Sequence, residues 1–375
     1  MNNKDIFYFI ATCLTISLDY NNKIFIEKKL KTVNIDWNAV VKISTAHYVL
    51  PAFYSNLRRQ GFLHYLPKDL VEYMSNIANL NRERNQQIFR QAEELNTLLL
   101  ANNITPIFLK GTANLLAGLY DDVADRMIGD IDFIFSKKDY LKTIKVLRDN
   151  GYCDLLNYNI NSDQSVEAEI PIWREQRHYR RLQKKNNIAA VEIHKELILE
   201  KYTSEFNYKL IQKDSQVINQ INVLSFANKL NLSIISNQIN DRRFYYKTID
   251  LRNAYDVFLL SKRTSSKKAV NSLKKLSHPL NCFLAACFDI FNNVDSIKYN
   301  NTKKTEHYLL EFKNKFENTR KIKLYNKCIT IYLYLIDRLN ILIKSFIYKD
   351  YRLWVFRRIT DRNWYKEKLI ELMFK

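Results

Sequence analysis

The sequence predicts an α+β fold, in which a small mixed β-sheet is embedded between N-terminal helices and a C-terminal helical region. Three observations support this prediction. The 375 residues include only 5 glycines and 5 prolines, which favours long helices over a protein rich in tight turns. Apolar residues recur every three to four positions near both ends of the chain, whereas short β-rich runs lie between them. A hydrophobic content of 47% is sufficient for a sizeable core.

The N-terminal part of the chain has the pattern of packed helices. Asp36 is the expected N-cap of a helix in DWNAVVKISTAHYVLPAFYSNLRR, and a long helix is expected from Lys68 to the Asn102-Asn103 pair. The change of pattern along the chain predicts three regions. These are N-terminal helices at 1–100, an α/β core at 101–200 and C-terminal helices at 201–375.

The predicted core contains short strands separated by helices. ITPIFLK, Ile104 to Lys110, has the composition of a strand, and GDIDFIFS has the composition of a second one. KKDYLKTIKVLRDNGY is an amphipathic helix that closes at Asn150-Gly151. RHYRRLQKKNNIAAVEIHKEL alternates, turns at residues 184–187 and alternates again, which predicts a β-hairpin.

The C-terminal region returns to helical spacing. Residues 262–275 are polar and basic and indicate a loop between helices. ITIYLYLIDRLNILIKSFIY is the most apolar segment, but Asp337, Arg338 and Lys344 interrupt it, which favours a packing helix over a transmembrane span. The basic and aromatic segment at 348–366 has two interpretations, a solvated helix face or a surface that stacks on an anionic substrate.

Charge and cysteine content bound the class of protein. The net charge of +20 indicates either an anionic partner such as nucleic acid or a composition bias towards lysine and other residues with AT-rich codons. The five cysteines form no C-x-x-C pair, which is typical of a reduced, cytoplasmic protein. The N-terminus lacks a basic segment followed by a cleavage site, so no signal peptide is expected.

Two carboxylates stand one residue apart in the apolar run RMIGDIDFIF. Asp130 and Asp132 share a face of the predicted strand, since side chains i and i+2 point to the same side, while Ile131 and Phe133 face the core. Adjacent like charges repel unless a cation lies between them, and Mg²⁺ prefers such oxygen ligands. The alternative is a solvent-exposed strand end with two ordinary acids.

Two further features strengthen the first interpretation. The predicted first strand runs into Gly111 and Thr112 at a helix start, where free backbone N–H groups suit a phosphate. Glu192 and His194 share a face of the last predicted strand. Three carboxylates beside a phosphate-binding turn are able to hold two divalent metals, of which one activates an acceptor hydroxyl and the other stabilises a departing pyrophosphate.

These residues carry a resemblance to a known family. The turn, the D-x-D pair and the later strand carboxylate resemble the polymerase-beta-like nucleotidyltransferase superfamily. FLKGTANLLAGLYDDVADRMIGDIDFIF is more closely similar to a bacterial group of uncharacterised nucleotidyltransferases, in which LKG, a helix ending in Tyr and an Arg precede G-D-I-D. VEIH and RHYRRL resemble later strands of that group, and fainter matches extend the resemblance over residues 30 to 262. The resemblance implies a polymerase-beta-like core.

The resemblance implies a role for each matching residue. Asp130 and Asp132 are implied metal ligands, Glu192 is the third carboxylate, and Gly111 and Thr112 are implied contacts of the triphosphate. The implied cofactor is Mg²⁺, as two ions, with an NTP such as ATP as substrate.

Four other residues near the motif are candidates for the site, and three of them keep two interpretations. Lys110 neutralises a phosphate or ends a strand. Arg126 clamps the triphosphate or pairs with Asp130 or Asp125. His194 is a site residue or a satisfied strand-end histidine, and His178 on the facing hairpin strand is a weaker candidate for the same site. Two further residues are expected outside it, and these are Tyr120 in the core and Asp256 on a helix surface or behind the site.

The predicted function is metal-dependent transfer of a nucleoside monophosphate from an NTP to an acceptor hydroxyl. The acceptor is a small molecule, an RNA or a protein. The alternative is a catalytically inactive binding module that keeps the fold.

Overall fold

The computed structural model describes residues 1–154, 177–316 and 319–361. The chain forms two compact units, Met1–Phe312 and Lys313–Lys375. Helices and one mixed seven-stranded sheet make up the first unit, which confirms the predicted α+β class. The predicted boundaries at 100/101 and 200/201 both lie inside this unit, and the three-region division stays a prediction.

Helices precede the sheet, as the spacing of apolar residues predicts. Asp36 is the N-cap of one of them, because its carboxylate accepts a hydrogen bond from the Ala39 N–H at 3.0 Å. The chain turns at Tyr48, which has a positive φ, and a new helix begins at Leu50 with Pro51 in its first turn. The helices are α1 (Asn3–Cys13), α2 (Tyr20–Thr32), α3 (Trp37–Ala46), α4 (Leu50–Arg59) and α5 (Lys68–Ala101).

The sheet has the order β3-β4-β5-β2-β1-β7-β6. Its central strands β2 and β5 run parallel, β1 is antiparallel to β2 and parallel to β7, and the edges are antiparallel pairs. The strands are β1 (Ile107–Phe108), β2 (Asp130–Ile134), β3 (Tyr152–Asp154), β4 (Leu182–Lys184), β5 (Ala190–His194), β6 (Gln216–Ile218) and β7 (Ile221–Val223).

One face of the two central strands forms the hydrophobic core. Ile131 and Phe133 of β2 and Val191 and Ile193 of β5 are fully buried there. They belong to one cluster with the apolar stripe of α5, which includes Leu95. Because side chains alternate along a strand, this packing turns the polar residues of β2 and β5 to the opposite face.

The structure shortens the first predicted strand. Only residues 107 and 108 of the predicted Ile104–Lys110 strand pair in the sheet, and Lys110 is the first residue of α6 (Lys110–Leu116). Pro106 has no backbone N–H, so it cannot donate a hydrogen bond that would extend the strand towards its N-terminus. After the strand, the Leu109 N–H donates to the Asp132 carbonyl at 2.9 Å, and the positive φ of Lys110 turns the chain away from the sheet.

The predicted hairpin is confirmed and corresponds to β4 and β5. The sequence does not predict three other strands of the sheet. β3, β6 and β7 contain three residues each, which is too short for a period-two pattern to stand out. β6 and β7 lie within 201–375, so this predicted helical region also contributes a hairpin to the sheet.

Helices make up most of the remaining first unit. The predicted loop at 262–275 contains a helix, which Ser265 caps by accepting from the Lys268 N–H. The helices are α7 (Tyr140–Asp149), α8 (Tyr208–Lys213), α9 (Phe226–Ile235), α10 (Arg243–Tyr246), α11 (Leu251–Ser261), α12 (Ser266–Asn271), α13 (Ser277–Ile290) and α14 (Lys303–Asn314). α7 ends as predicted, because Gly151 adopts a positive φ of 85°.

The second unit contains two helices that pack on each other, α15 (Thr319–Ile347) and α16 (Lys349–Thr360). α15 includes the apolar segment that the sequence predicts to be a packing helix. No described helix combines the length and the apolar character that crossing a membrane requires. The part of the basic, aromatic segment beyond residue 361 lies outside the described residues.

Candidate active site

A cavity of about 380 Å³ lies over the polar face of β2 and β5. One wall of the cavity consists of β2, β5, the start of α6 and residues 177–181. The other wall comes from α9, the turn that follows it and the start of α11. We call these the carboxylate wall and the helical wall.

The parallel pairing of β2 and β5 brings the three predicted carboxylates together. Asp132 and Glu192 are direct neighbours in the register, and Asp130 lies two residues earlier on the same face. Asp132 and Glu192 are buried, whereas Asp130 is partly exposed. The three carboxylates that the sequence predicts to act together therefore line one wall of one cavity.

Lys110 reaches into this group from the start of α6. Its Nζ lies 2.6 Å from Asp132 Oδ1 and 3.3 Å from Glu192 Oε2. Burial lowers the pKa of Lys110, but the two carboxylates outweigh this effect and hold it above its ordinary value. The left-handed backbone of Lys110, with φ 50°, is a local strain that the contacts of its side chain offset. Lys110 thus lines the cavity and begins α6, so it does not end a strand.

His194 joins the same group from the end of β5. Its Nε2 lies 2.8 Å from Asp132 Oδ1 and 3.2 Å from Glu192 Oε2. Burial and the charge of Lys110 lower the pKa of His194, but the hydrogen bonds to the two carboxylates prevail and raise it above its ordinary value. His178 pairs with His194 across an antiparallel bridge, and its Nδ1 lies 3.5 Å from Glu192 Oε1. The structure therefore brings both histidines to the carboxylates.

Arg181 is a further cation of this wall, and the sequence analysis did not identify it. Its Nη2 lies 2.9 Å from Asp130 Oδ2 and its Nε lies 3.6 Å from Glu192 Oε1. Burial raises the pKa of Asp130, and the nearby charges of Asp132 and Glu192 contribute in the same direction against the opposing effect of Arg181. The motif RHYRRL contains Arg181, but only the fold shows which of its cations faces the carboxylates.

Glu192 is the most strongly compensated of the three carboxylates. Burial alone raises its pKa, but the hydrogen bond from His194 and the charge of Lys110 hold the pKa well below the usual range. Glu192 therefore stays ionised, although it is buried. Lys110 and Arg181 bridge the carboxylates pairwise, so a buried group of like charges is neutralised by side chains of the same chain.

The donor set of this wall fits a divalent metal. One ligand atom from each of Asp132, Glu192 and His194 lies within 4.8 Å of the others. Carboxylate oxygens suit Mg²⁺ and Mn²⁺, and an imidazole nitrogen favours transition metals such as Mn²⁺. His194 thus adds a nitrogen donor to the oxygen ligands expected from the sequence.

The Gly-Thr turn lies next to the cavity, but its two residues differ in access. Gly111 lines the cavity, and a Cβ at this position would lie 3.4 Å from Ile128 and 3.7 Å from the guanidinium of Arg126. Thr112 is fully buried, and its hydroxyl donates to the Asp130 carbonyl at 3.1 Å. The hydroxyl thus supports β2 in this structure. Its contact with a triphosphate stays a prediction.

Arg126 forms a buried ion pair that the sequence analysis did not foresee. Its Nε donates to Asp256 Oδ1 and its Nη2 donates to Asp256 Oδ2, each at 3.0 Å, and the Tyr120 hydroxyl donates to Oδ1 at 2.8 Å. The observed partner is neither Asp130 nor Asp125. Asp130 pairs with Arg181, and Asp125 pairs with Arg59. Tyr120 is buried as predicted, and Asp256 is buried as well, so its alternative placement on a helix surface is wrong.

The helical wall contributes cavity residues that were not among the candidates predicted from the sequence. Lys229 and Ser236 come from α9 and the turn after it, and Arg252 comes from α11. Lys229 stands in the apolar run FANKLNLSII, where a buried lysine is unusual. That single oddity is the sequence signal that marks this wall.

Comparisons with known proteins agree with this geometry. The family model described as uncharacterised nucleotidyltransferase matches residues 34–290. No curated protein matches the chain at a significant level. Among solved structures, JHP933 from Helicobacter pylori is similar at 14% identity, with 70% of this chain and 97% of that chain covered and a TM-score of 0.28, which is too low to carry an argument. The family match spans more than half of the chain and includes every carboxylate of the cavity, so this protein belongs to the uncharacterised nucleotidyltransferase family.

Proposed function

We propose that this protein transfers a nucleoside monophosphate from an NTP to an acceptor hydroxyl and releases pyrophosphate. One observation carries the proposal: Asp130, Asp132 and Glu192 line one wall of a cavity in a chain of a nucleotidyltransferase family. A cavity of about 380 Å³ is within the range of small-molecule sites.

The carboxylate wall is the proposed metal centre. Asp130, Asp132 and Glu192 would hold Mg²⁺, as two ions, with His194 as an added donor. A bound divalent cation would lower the pKa of the acceptor hydroxyl and offset the charge of the departing pyrophosphate. Glu192, Asp132 and Asp130 would orient the ion, since each is anchored on a strand whose opposite face is packed in the core.

Lys110 and Arg181 act as movable cations in this proposal. In the structure they neutralise the carboxylates. A nucleotide that arrives with its metal brings both the cation that the carboxylates need and the phosphates that Lys110 and Arg181 prefer to bind. Once Lys110 turns to a phosphate, Glu192 is released from this ion pair and is able to contact the metal or to accept the proton of the attacking hydroxyl.

Isothermal titration of the four NTPs, with Mg²⁺, with Mn²⁺ and without metal, tests the proposal. The wild type is compared with the Asp130→Asn, Asp132→Asn double variant. Asp154→Asn is the matched control, because Asp154 is an ion-paired strand carboxylate that does not line the cavity. The expected result is metal-dependent binding that only the double variant loses. Nucleotide binding by the wild type without any metal dependence would instead favour the inactive binding module.

The class of acceptor is a separate part of the proposal. The net charge of +20 favours an anionic acceptor such as RNA over a neutral small molecule. Binding to RNA through phosphates weakens steeply with salt, because counterions are released. A filter-binding series on total tRNA from low to high salt tests this part, and weak binding that is independent of salt would remove the RNA acceptor while leaving nucleotidyl transfer in place.

A further inference from the structure

The helical wall of the cavity contains a buried amine without an anionic partner. Lys229 is 3% exposed, and its Nζ makes no hydrogen bond within the described residues. The Nζ lies 5.0 Å from the centre of the Phe226 ring, and burial lowers the pKa of Lys229 to about 8. Burial of an ammonium group without a partner is costly, so this position calls for a ligand that compensates for the charge.

Other polar atoms of the same wall also lack partners. Within the part of the chain that the structure describes, Arg252 Nε, Ser236 Oγ and Asn240 Oδ1 are buried and make no hydrogen bond. All three residues line the cavity together with Lys229. Ser236 and Asn240 are the two ends of a π-helical turn, Ser236–Asn240, that continues α9. Turns of this kind are frequent at functional sites, because they aim side chains differently from a regular helix.

The charges of this wall match an anion. Lys229 and Arg252 supply positive charge, and Ser236 supplies a hydroxyl donor. Two carboxylates also line this part of the cavity. Asp256 is committed to Arg126 and Tyr120, and burial raises the pKa of Asp241 despite the nearby Arg243. Net positive charge with several donors is therefore available on the helical wall of the cavity.

We propose that Lys229, Arg252 and Ser236 form a polyphosphate subsite that holds the phosphate tail of the nucleotide. The identity of the ligand as a nucleotide rests on the proposed function, whereas the affinity for a polyphosphate rests on the helical wall alone. The Thr112 hydroxyl is committed to the Asp130 carbonyl, so the hydroxyl expected from the Gly-Thr turn is already used. The subsite residues and the proposed metal ligands line the same cavity, so one nucleotide is able to contact both groups.

Binding of inorganic tripolyphosphate in metal-free buffer tests the subsite directly, because this probe has the phosphate tail and no nucleoside. Titration compares the wild type with Lys229→Met, which keeps the length of the side chain and removes the charge. Lys267→Met is the control, since Lys267 is an exposed lysine on α12 and does not line the cavity. We expect Lys229→Met to bind tripolyphosphate at least about tenfold more weakly, and Lys267→Met to bind it like the wild type.

Two further variants keep the test decisive. Ser236→Ala removes one donor at little structural cost, and a loss of about three- to tenfold is expected if it contacts the phosphates. The Asp130→Asn, Asp132→Asn double variant is expected to lose metal-dependent NTP binding and to keep metal-free tripolyphosphate binding, since it leaves Lys229, Arg252 and Ser236 unchanged.

The outcomes separate the two proposals. Tripolyphosphate binding that depends on Lys229, in a protein that binds no NTP, would support the subsite and contradict the proposed function. Metal-dependent NTP binding that tripolyphosphate does not compete with, or that Lys229→Met leaves unchanged, would overturn the subsite and leave the proposed function in place. A wild type that does not bind tripolyphosphate also overturns the subsite.

Discussion

The two walls of the cavity differ in how their charges are satisfied. On the carboxylate wall, Asp130, Asp132 and Glu192 each pair with a cation of the same chain. On the helical wall, Lys229 and the Nε of Arg252 are buried without a hydrogen bond among the described residues. One wall is electrostatically complete without a ligand, and the other is not.

This difference indicates two ways in which a fold arranges the charges of a binding site before a ligand is bound. Internal cations let the carboxylate wall fold without repulsion, and under the proposed function a metal would have to replace these cations. The helical wall instead keeps an uncompensated charge, which lowers the stability of the free protein and favours an anionic ligand.

Asp132→Asn is expected to produce the largest loss of nucleotide affinity. Asp132 contacts both Lys110 and His194, and its ligand atom belongs to the only cluster of metal-type ligands found among the described residues. We expect metal-dependent NTP binding to weaken at least about 100-fold. Loss of a residue that only supports a metal ligand already weakens metal binding by about 10- to 100-fold, and loss of a ligand itself should cost no less. Titration with Mg²⁺ measures this loss, and Asp154→Asn is the control. An Asp132→Asn protein that retains full metal-dependent affinity would remove Asp132 from the metal centre.

Asp256→Ala tests the support behind the two walls. The substitution leaves the Arg126 guanidinium buried without its carboxylate, which costs about 3–5 kcal/mol of unfolding free energy. Urea unfolding followed by circular dichroism measures this loss. The Arg126→Leu, Asp256→Leu double variant is expected to recover most of the stability, since it leaves no unpaired charge. A loss below about 1 kcal/mol would show that the pair is not buried in solution.

Lys229→Met is expected to stabilise the free protein in a pH-dependent way. The unfolded chain keeps the Lys229 proton up to its ordinary pKa of 10.5, whereas the folded protein releases it near pH 8. Between these values the unfolded state binds more protons, so the wild type gains stability as pH rises. Below pH 8 the full free-energy cost of burying the charged Lys229 side chain is present.

We therefore expect the free energy of unfolding of Lys229→Met to exceed that of the wild type by about 2–3 kcal/mol at pH 7. This difference should shrink between pH 8 and pH 10.5. Urea unfolding of both proteins across this pH range measures the difference in unfolding free energy. Other groups titrate alike in the two proteins and therefore do not contribute to this difference. An advantage that is independent of pH would mean that Lys229 is paired or exposed in the folded protein.

Thr112→Val is expected to have the smallest effect. It removes the hydrogen bond to the Asp130 carbonyl and lowers the unfolding free energy by about 1 kcal/mol. If the hydroxyl only supports β2, NTP affinity changes less than threefold. A tenfold loss of affinity with unchanged stability would instead confirm the triphosphate contact that the sequence predicts.

The sequence predicts the parts of the fold and site that depend on local periodicity. The class, the hairpin at β4 and β5, the long α5 and the shared face of Asp130 and Asp132 all follow from spacing along the chain. Short strands such as β6 have no periodic signal, and the end of β1 depends on a hydrogen bond to β2. The boundaries of short elements therefore depend on their neighbours in the sheet.

The sequence by itself determined which carboxylates share a face, because side-chain direction in a strand is set by the backbone. Only the tertiary structure decided which cations they meet and which other residues line the same cavity. Arg181, Lys229 and Arg252 are distant from GDID in sequence, and their positions result from the packing of the hairpin and of two later helices. Long-range packing leaves no local pattern in the chain, so these partners become visible only in the folded protein.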